Sequence, residues 1–438
     1  MTFHFESQKK YGRRVMKITK NLLIFSAIFA LVLVFGCAKK EDIVPVEKEE
    51  LAAKELTPKE MLGKRLFFDT DLSNPAGQSC ATCHGPTVGW TGPDSDTNST
   101  TVAYPGALEP RFGNTKPPTA AYAGTSPPLH IDEEGTFIGG MFWNGRAAGW
   151  DLGDTIAEQA MGPFLNPLEM NMPDKKSVIL KVQEADYADL FREVWGPDSL
   201  EAEADIDGTY ERIARSIAAF ERSFEVTKFS SKFDDFWRKT KEAGLDVTHI
   251  DESNMDQFKD LGLDDNEVHG LMLFNTAGLC AKCHVLTPED GETPPLFTDF
   301  TYDNIGVPRN PDNPFYIQDK EFNPDSKDWV DKGLGGFLDG TEKYSQYAKE
   351  NYGKQKVPTL RNVDLRPYED FAKAFTHNGY FKTLKEVVNF YNTRDKEGAE
   401  WPPPEIAENV NLDEMGDLGL TDEEEDLIVL FMKTLSDR

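Results

Sequence analysis

Two five-residue stretches decide how this sequence is interpreted: Cys80-Ala81-Thr82-Cys83-His84 in the first half and Cys280-Ala281-Lys282-Cys283-His284 in the second. Both read Cys-x-x-Cys-His, a spacing in which two thiols add to the vinyl groups of a haem and the histidine ligates its iron. A redox dithiol does not need the histidine, and a zinc site would need further ligands nearby. The two stretches therefore predict two covalently bound haem c groups, with His84 and His284 as iron ligands.

The composition of the chain is that of a globular protein with long loops. Of its 438 residues, 39% are hydrophobic and 28% are charged, and the chain contains 34 Gly and 27 Pro. These values exclude a collagen, a coiled coil and a wholly disordered chain. The 76 acidic residues outnumber the 47 basic ones, which gives a net charge of −29. We therefore expect a basic partner protein and no nucleic-acid partner.

Residues 1–37 are predicted to be an export signal. A basic segment precedes an apolar run over 22–35 that is short for a membrane span, and the run ends at Gly36-Cys37. Cys37 stands where a bacterial lipoprotein signal has its lipidated cysteine, and a plain signal or an uncleaved anchor is the alternative. The sequence thus predicts a periplasmic protein that meets the membrane only through a lipid anchor, with a charged tether over 38–56.

Helix signals recur from residue 57 to the end of the chain. Thr57, Thr383 and Thr421 each begin a capping box, and apolar residues from Ile213 onwards have helical spacing. The intervening stretches, such as 85–135, are rich in Gly, Pro and Asn and are longer than a helical bundle needs, which suggests that they wrap something. The pattern predicts a mainly α, two-domain chain with long irregular loops.

Few histidines remain to complete the coordination of either iron. Outside the signal region and the two motifs, the histidines are His130, His249, His269 and His377, and none lies between His84 and His130. We therefore expect the first haem to keep one open face, where a small oxidant can bind.

Several further segments resemble one family, the bacterial dihaem cytochrome c peroxidases, and within it the MauG-type branch. The resemblance covers roughly 57–438. It implies two cytochrome c-like haem domains, a peroxidatic domain over 57–243 and an electron-transfer domain over 266–438, joined by an acidic linker over 244–265. The matching segments, in chain order, are Leu66-Phe67-Phe68-Asp69, Gly113-Asn114-Thr115, Pro118-Thr119, Phe142-Trp143-Asn144-Gly145-Arg146, Gln159-Ala160-Met161-Gly162-Pro163, Asn166-Pro167-Leu168-Glu169-Met170, Val357-Pro358-Thr359-Leu360-Arg361-Asn362 and His377-Asn378-Gly379.

The resemblance also implies which residues handle peroxide at the first haem. Gln159 and Glu169 match the distal pair of the family, and Pro163 matches its pocket proline. A carboxylate within hydrogen-bond reach can move a proton between the two oxygens of peroxide, and an amide can orient the molecule. The alternative for Glu169 is a turn cap after Asn166-Pro167.

At the second haem, the resemblance implies that Tyr391 is the other iron ligand. Conventional dihaem peroxidases have a methionine at this position, whereas MauG-type proteins have a tyrosine. A phenolate is a hard anionic donor that stabilises ferric and higher iron states, whereas a thioether raises the potential. His377 and Met415 are rival ligands, and a buried core tyrosine is the alternative role of Tyr391.

Two more positions are matched less closely. Trp143 matches the tryptophan that the family places between its haems, but the interval to Gln159 is longer than usual, so Trp150 is a rival for this role. A core aromatic side chain is the alternative to both. Asn114 and the carbonyl groups near Ala372–Ala374 match an interhaem calcium site, although alanines replace the usual Thr and Pro.

The sequence therefore leads to three functional hypotheses. The first is a dihaem c-type peroxidase that reduces hydrogen peroxide to water with electrons from a cytochrome c-like donor. The second is a MauG-type enzyme that oxidises residues of a partner protein. The third is a dihaem electron-transfer protein without enzymatic activity. By analogy with related peroxidases, a homodimer is expected.

Overall fold

Two helix pairs are built in the same way, one in each half of the chain. In this computed structural model, α1 (Pro58–Phe68) packs against α7 (Ile206–Glu221), and α9 (Asp265–Asn275) packs against α12 (Asp422–Lys433). In each pair, the first helix precedes a Cys-x-x-Cys-His motif, across residues 69–79 in the first half and 276–279 in the second. The two halves of the sequence therefore form similar helical scaffolds.

A glycine at each crossing lets the two helix backbones approach closely. A Cβ atom on Gly63 of α1 would lie 1.9 Å from the carbonyl oxygen of Ser216. A Cβ atom on Gly270 of α9 would lie 2.0 Å from the carbonyl oxygen of Leu427. Because atoms cannot approach so closely, only glycine permits this packing at either position.

The structure describes residues 55–201, 203–288 and 290–438, and in these it is rich in helix with little sheet. The strands form two antiparallel pairs, β1 with β2 and β3 with β4. Their bounds are β1 His130–Ile131, β2 Phe137–Ile138, β3 Tyr302–Asp303 and β4 Gln355–Lys356. The remaining α-helices are α2 Cys80–Cys83, α3 Ser95–Ser99, α4 Thr155–Leu165, α5 Lys175–Glu184, α6 Ala188–Trp195, α8 Lys232–Glu242, α10 Gly333–Asp339 and α11 Leu384–Thr393. Short 3₁₀ helices are Thr70–Leu72, Pro86–Val88, Val247–His249, Met255–Phe258, Cys280–Lys282, Pro314–Ile317, Ser326–Asp328, Ser345–Tyr347 and Lys349–Asn351.

The helix starts predicted from the sequence are confirmed. The side chains of Thr57, Thr383 and Thr421 each accept a hydrogen bond from the main-chain N–H three residues later, and a glutamate returns the bond. Ile213 and Phe220 lie on the buried face of α7. The prediction of a helix-rich chain therefore holds, while its division into two cytochrome c-like domains stays a prediction.

Two large hydrophobic clusters fill the interior between residue 55 and the C-terminus. The first is formed by residues between Leu62 and Val226, and the second by residues between Phe233 and Leu435. The second includes buried side chains from the acidic segment 244–265, which packs against it through two 3₁₀ helices. The domain boundaries predicted from the sequence stay a prediction.

A buried ion pair ties α8 to the Val357–Asn362 segment. Arg361 and Asp234 are both fully buried, and the Arg361 guanidinium donates to Asp234 Oδ1 at 2.7 Å and to the carbonyl oxygen of Pro295 at 2.7 and 2.9 Å. Near the C-terminus, the Asp437 carboxylate accepts from the hydroxyl of Tyr122 at 2.7 Å. The Arg361 contacts join segments of the second half, and the Tyr122–Asp437 contact joins the C-terminus to the first cluster.

The export signal over 1–37, Cys37 and most of the 38–56 tether lie outside the described residues. Within the described part, none of the helices combines the length and the apolar character that crossing a membrane requires.

Candidate functional site

The two Cys-x-x-Cys-His motifs fold into similar turns. The first motif forms α2 and the second forms the 3₁₀ helix Cys280–Lys282. In both, the main-chain N–H of the histidine donates to the carbonyl oxygen of the first cysteine at 2.9 Å, for His84 with Cys80 and for His284 with Cys280. The thiols of all four motif cysteines are free. Each turn therefore presents two thiols and an adjacent imidazole.

Each motif histidine is oriented by one hydrogen bond of its ring. Nδ1 of His84 lies 3.2 Å from the carbonyl oxygen of Trp90, and Nδ1 of His284 lies 2.9 Å from that of Phe297. Shielding from water lowers the pKa of His84 to about 4 and lowers that of His284 as well. The lowered pKa favours the neutral ring in both, and Nδ1 faces a carbonyl oxygen, which leaves Nε2 as the ligand atom that a haem c requires.

The segments Pro118-Thr119 and Pro358-Thr359 form matching hydrogen bonds next to the two motifs. The hydroxyl of Thr119 donates to the carbonyl oxygen of Gly89 at 2.7 Å, and the hydroxyl of Thr359 donates to that of Leu296 at 2.6 Å. Gly89 and Leu296 immediately precede the residues whose carbonyls orient the histidines. The same hydrogen-bond arrangement therefore positions the motif histidine in both halves.

A large cavity adjoins the second motif and contains all three candidates for the other iron ligand. Cys280, Cys283 and His284 line it, as do the side chains of Tyr391, His377 and Met415. Shielding from water raises the pKa of the Tyr391 phenol, and the nearby Cys283 adds to the rise. The Tyr391 hydroxyl has no hydrogen-bond partner among the described residues, so it is available to a bound group.

His377 has neighbours other than the motif. Its Nε2 lies 3.8 Å from Oε2 of Glu405, whose side chain is 4% exposed, and its ring meets that of Trp143 edge-on at 6.4 Å. Oε1 of Glu405 is buried without a partner among the described residues. The choice between Tyr391, His377 and Met415 stays a prediction.

The distal residues predicted for the first haem come from α4 and the turn after it. Gln159 and Pro163 are one helical turn apart and share a face of α4. The chain then folds back, because Met170 N–H donates to the carbonyl oxygen of Pro163 at 3.2 Å, which returns Glu169 towards the helix. The side-chain amide of Gln159 forms no hydrogen bond among the described residues. The structure thus brings Gln159, Pro163 and Glu169 into one neighbourhood.

Glu169 lies beside the first motif in a shielded environment. Burial raises the pKa of its carboxyl, and Arg146 and Asn166 partly offset the rise. Burial also raises the pKa of the Cys83 thiol to about 12, and the nearby Glu169 adds to that rise. A carboxyl with a raised pKa can both take up and release a proton, as proton transfer requires.

Arg146 is a candidate that the sequence reasoning assigned no role. It ends the Phe-Trp-Asn-Gly-Arg segment, directly after Gly145, whose φ of +77° turns the chain. Its guanidinium stacks over the Phe142 ring at 3.6 Å from the centroid, and its charge acts on Glu169. The sequence signal for Arg146 is its place in the Phe-Trp-Asn-Gly-Arg segment that matches the family. The sequence does not indicate that its charge acts on Glu169.

The structure separates the two candidate tryptophans. Trp143 is buried and lines the large cavity, where its indole N–H donates to the carbonyl oxygen of Lys116 at 2.8 Å. Trp150 is 44% exposed and packs against Phe337 and Tyr344 in a surface cluster. Trp143 therefore lies between segments of the two halves, and its role as a relay stays a prediction.

Three lysines on the cavity wall also went unnoticed in the sequence. Lys373 is buried, and Lys116 and Lys356 are half-buried. Shielding from water lowers the pKa of Lys116 to about 8 and those of Lys356 and Lys373 to about 7. Charged residues give no periodic pattern in sequence, so their convergence is visible only in the fold.

The residues predicted to bind calcium lie near these lysines. The carbonyl oxygen of Asn114 accepts from Asn313 at 2.9 Å, and that of Ala372 accepts from Asn98 at 3.0 Å. Among the described residues, the cluster of acidic, Cys or His side chains spaced to hold a metal ion is Cys283 with Asp303 and Glu414. Cys283 belongs to the second motif, so this cluster does not supply a calcium site.

Comparison with known proteins gives matches along nearly all of the described chain. A family model described as di-haem cytochrome c peroxidase matches residues 57–242. The methylamine utilization protein MauG of Paracoccus denitrificans is 33% identical over 389 residues, which cover 86% of this chain and 88% of that protein. The cytochrome c551 peroxidase of Nitrosomonas europaea is 27% identical over 382 residues, with coverage of 86% and 84%. The relatives thus include both peroxidases and MauG.

Solved structures give the same picture. The crystal structure of the diheme peroxidase BthA from Burkholderia thailandensis aligns with a TM-score of 0.69 at 27% sequence identity, and the alignment covers 87% of each chain. The similarity therefore extends over most of both chains.

Proposed function

Since the chain belongs to the di-haem cytochrome c peroxidase family, we propose that it reduces hydrogen peroxide to water, with electrons from a cytochrome c-like donor. The observation that carries this proposal is the position of Glu169, beside the first Cys-x-x-Cys-His motif and within the electrostatic influence of Arg146. A haem that is open on one face needs such a proton-transfer group to react with peroxide.

The two motif turns would hold the haems. The thiols of Cys80 and Cys83 would attach the first, and those of Cys280 and Cys283 the second, with Nε2 of the following histidine on each iron. When bound, the two haems supply iron centres that exchange electrons with peroxide and with the donor. The chain itself orients the imidazoles through their Nδ1 hydrogen bonds, which fixes Nε2 as the ligand atom.

Residues of α4 and of the turn after it would handle peroxide and its protons. Glu169 takes a proton from one peroxide oxygen and returns it to the other, and the side-chain amide of Gln159 orients the molecule. The positive charge of Arg146 stabilises the ionised form of Glu169, while the shielded pocket favours the protonated form. The opposing effects keep both forms of the carboxyl accessible, which suits a group that works first as a base and then as an acid.

The second half would receive electrons and pass them to the first. Trp143 lies between the halves. Its indole N–H donates a hydrogen bond to the carbonyl oxygen of Lys116, and its own carbonyl oxygen accepts one from Lys356 N–H at 2.7 Å. We assign it the relay position and Tyr391 the second iron ligand. The acidic surface would attract a basic donor, with an association rate that falls as the salt concentration rises.

The MauG-type alternative has its own support. MauG of Paracoccus denitrificans is 33% identical to this chain, and a tyrosine stands at position 391. On this alternative, the oxidising equivalents that the bound haems would supply are used on residues of a partner protein. The non-enzymatic alternative requires both irons to be fully coordinated by side chains.

The location of the protein is part of the proposal. Export to the periplasm is required because haem c is attached outside the cytoplasm, and Cys37 would provide a lipid anchor. Assembly as a homodimer is proposed by analogy with related peroxidases.

One experiment separates the three functions. Stoichiometric peroxide is added to the purified holoprotein, the haem spectrum is followed, and reduced cytochrome c is then offered. Fast turnover of cytochrome c supports the peroxidase. Rapid oxidation of both haems with little turnover supports the MauG-type alternative, and the absence of any spectral change removes both enzymes.

A further inference from the structure

Two ammonium groups converge on the wall of the large cavity, between the two halves of the molecule. Lys116 belongs to the segment after the first motif, and Lys373 belongs to the segment before α11. A main-chain bond joins the segments, because Lys116 N–H donates to the carbonyl oxygen of His377 at 2.8 Å. Both side chains line the same cavity, and the charge of Lys116 helps to lower the pKa of Lys373.

Neutral oxygens surround both ammonium groups. Nζ of Lys373 donates to the carbonyl oxygens of Val88 at 2.9 Å, Leu365 at 3.0 Å and Asn362 at 3.3 Å. Nζ of Lys116 donates to Thr91 Oγ1 at 2.9 Å and to the carbonyl oxygen of Pro117 at 3.3 Å. Neither forms an ion pair with a carboxylate among the described residues.

Two shielded charges of the same sign are costly without a counter-ion. Loss of hydration disfavours each ammonium group, and mutual repulsion adds to this cost. The protein supplies carbonyl dipoles, which orient the groups but do not neutralise them. An anion bound in the same cavity would complete the arrangement. On the proposed function, the cavity receives a haem, whose two carboxylates are anions of the required kind.

The lysines stand where the family resemblance predicts calcium. Lys373 lies between Ala372 and Ala374, and Lys116 lies two residues after Asn114. Main-chain oxygens of Asn114 and Ala372 already accept side-chain hydrogen bonds. When both lysines are protonated, which a neighbouring carboxylate favours, they carry the same total charge as one Ca²⁺ ion and are covalently part of the chain.

We propose that the ammonium groups of Lys116 and Lys373 are the resident cations between the two haem-binding halves, where they pair with haem carboxylates in place of a calcium ion. This inference rests on the proposed function, since it requires haem in the cavity. It also explains why each position has a lysine, since an ammonium group without a counter-ion is unfavourable in a site shielded from water.

The direct test is a metal and haem count on the same holoprotein sample. After dialysis against EGTA and then metal-free buffer, calcium is measured by mass spectrometry and haem by the pyridine haemochrome assay. We expect two haems and far less than one calcium per chain, with no change in the haem spectrum when millimolar calcium is added. One retained calcium per chain, or a spectrum that EGTA changes and calcium restores, would overturn the inference. A haem count below two would instead contradict the proposed function.

A double variant tests the role of the charges. K116N/K373A removes both cations and adds a side-chain oxygen, so we expect the midpoint potential of at least one haem to fall, because a positive charge favours the reduced state. Added calcium should then raise that potential. The matched control is Lys356→Met, a lysine of the same cavity wall that lies over the Phe300 ring at 5.0 Å; it should gain no response to calcium.

The result that would overturn the inference is a double variant with two haems, unchanged potentials and no response to calcium. If the double variant does not fold, Lys373→Met is measured in its place, since methionine keeps much of the chain length and removes the charge. Unchanged potentials in that variant would have the same meaning.

Discussion

Replacement of Glu169 by glutamine tests the proposed chemistry with little disturbance of the fold. The substitution keeps the size of the side chain but removes its ability to take up a proton. The main-chain bonds of the turn remain, from Glu169 N–H to the carbonyl oxygen of Asn166 at 3.0 Å and from Ala107 N–H to the carbonyl oxygen of Glu169 at 2.7 Å. We therefore expect unchanged haem content and unchanged stability.

The size of the effect follows from the role assigned to the carboxyl. A positioned general acid–base group contributes about 10²–10⁴-fold to a rate, and each factor of ten corresponds to about 1.4 kcal/mol of activation free energy. Loss of Glu169 should therefore slow the first spectral change after peroxide addition about 10²–10⁴-fold. Stopped-flow absorption at the Soret band measures this step before any electron donor is involved.

The pH dependence gives a second readout. Burial raises the pKa of Glu169, and the proton-accepting form is the carboxylate, so the wild-type rate should fall as the pH drops through this raised pKa. The glutamine variant should lack that step. The matched control is Glu193→Gln, an exposed glutamate in α6, which should react like the wild type. An unchanged rate in the Glu169 variant would refute the proton-transfer role.

Three further predictions concern other parts of the molecule. Arg361→Met should lower the free energy of unfolding by about 3–5 kcal/mol, measured with denaturant, because it leaves Asp234 buried without its partner; a loss below about 1 kcal/mol would contradict this. Burial raises the pKa of Glu221 from 4.5 to about 8, so wild-type stability should fall as the pH rises from 4.5 to 8. Glu221→Gln should remove this decline, and parallel curves for the two proteins would count against it. Tyr391→Phe should change the spectrum of one haem and retain both haems, and identical spectra would exclude Tyr391 as a ligand.

The helices and the two motifs were predictable because their signals are local. Thr57 and Thr421 are separated from the glutamates that complete their capping boxes by a single helical turn. The histidine ligands follow from the five-residue spacing alone. Strands of two residues, such as Tyr302–Asp303, are too short to show an alternating pattern and were not predicted.

The composition of the cavity wall was beyond sequence reasoning because it depends on long-range packing. Lys116 and Lys373 are far apart in the chain, and each alone resembles a solvated surface charge. The sequence predicts Trp143 with Trp150 as a rival, and only their packing separates a cavity residue from a surface residue. The family resemblance predicts that Asn114 binds calcium. In the folded chain, Lys116 and Lys373 lie near this position.

The most direct test of the account is the intact mass of the purified, denatured protein, since everything depends on two covalently held haems. The mass should exceed that of the mature polypeptide, counted with the lipid on Cys37, by two haem groups, and one of them should be lost when Cys280 and Cys283 are replaced by alanine. A mass equal to that of the polypeptide, or to the polypeptide with one haem, would contradict it.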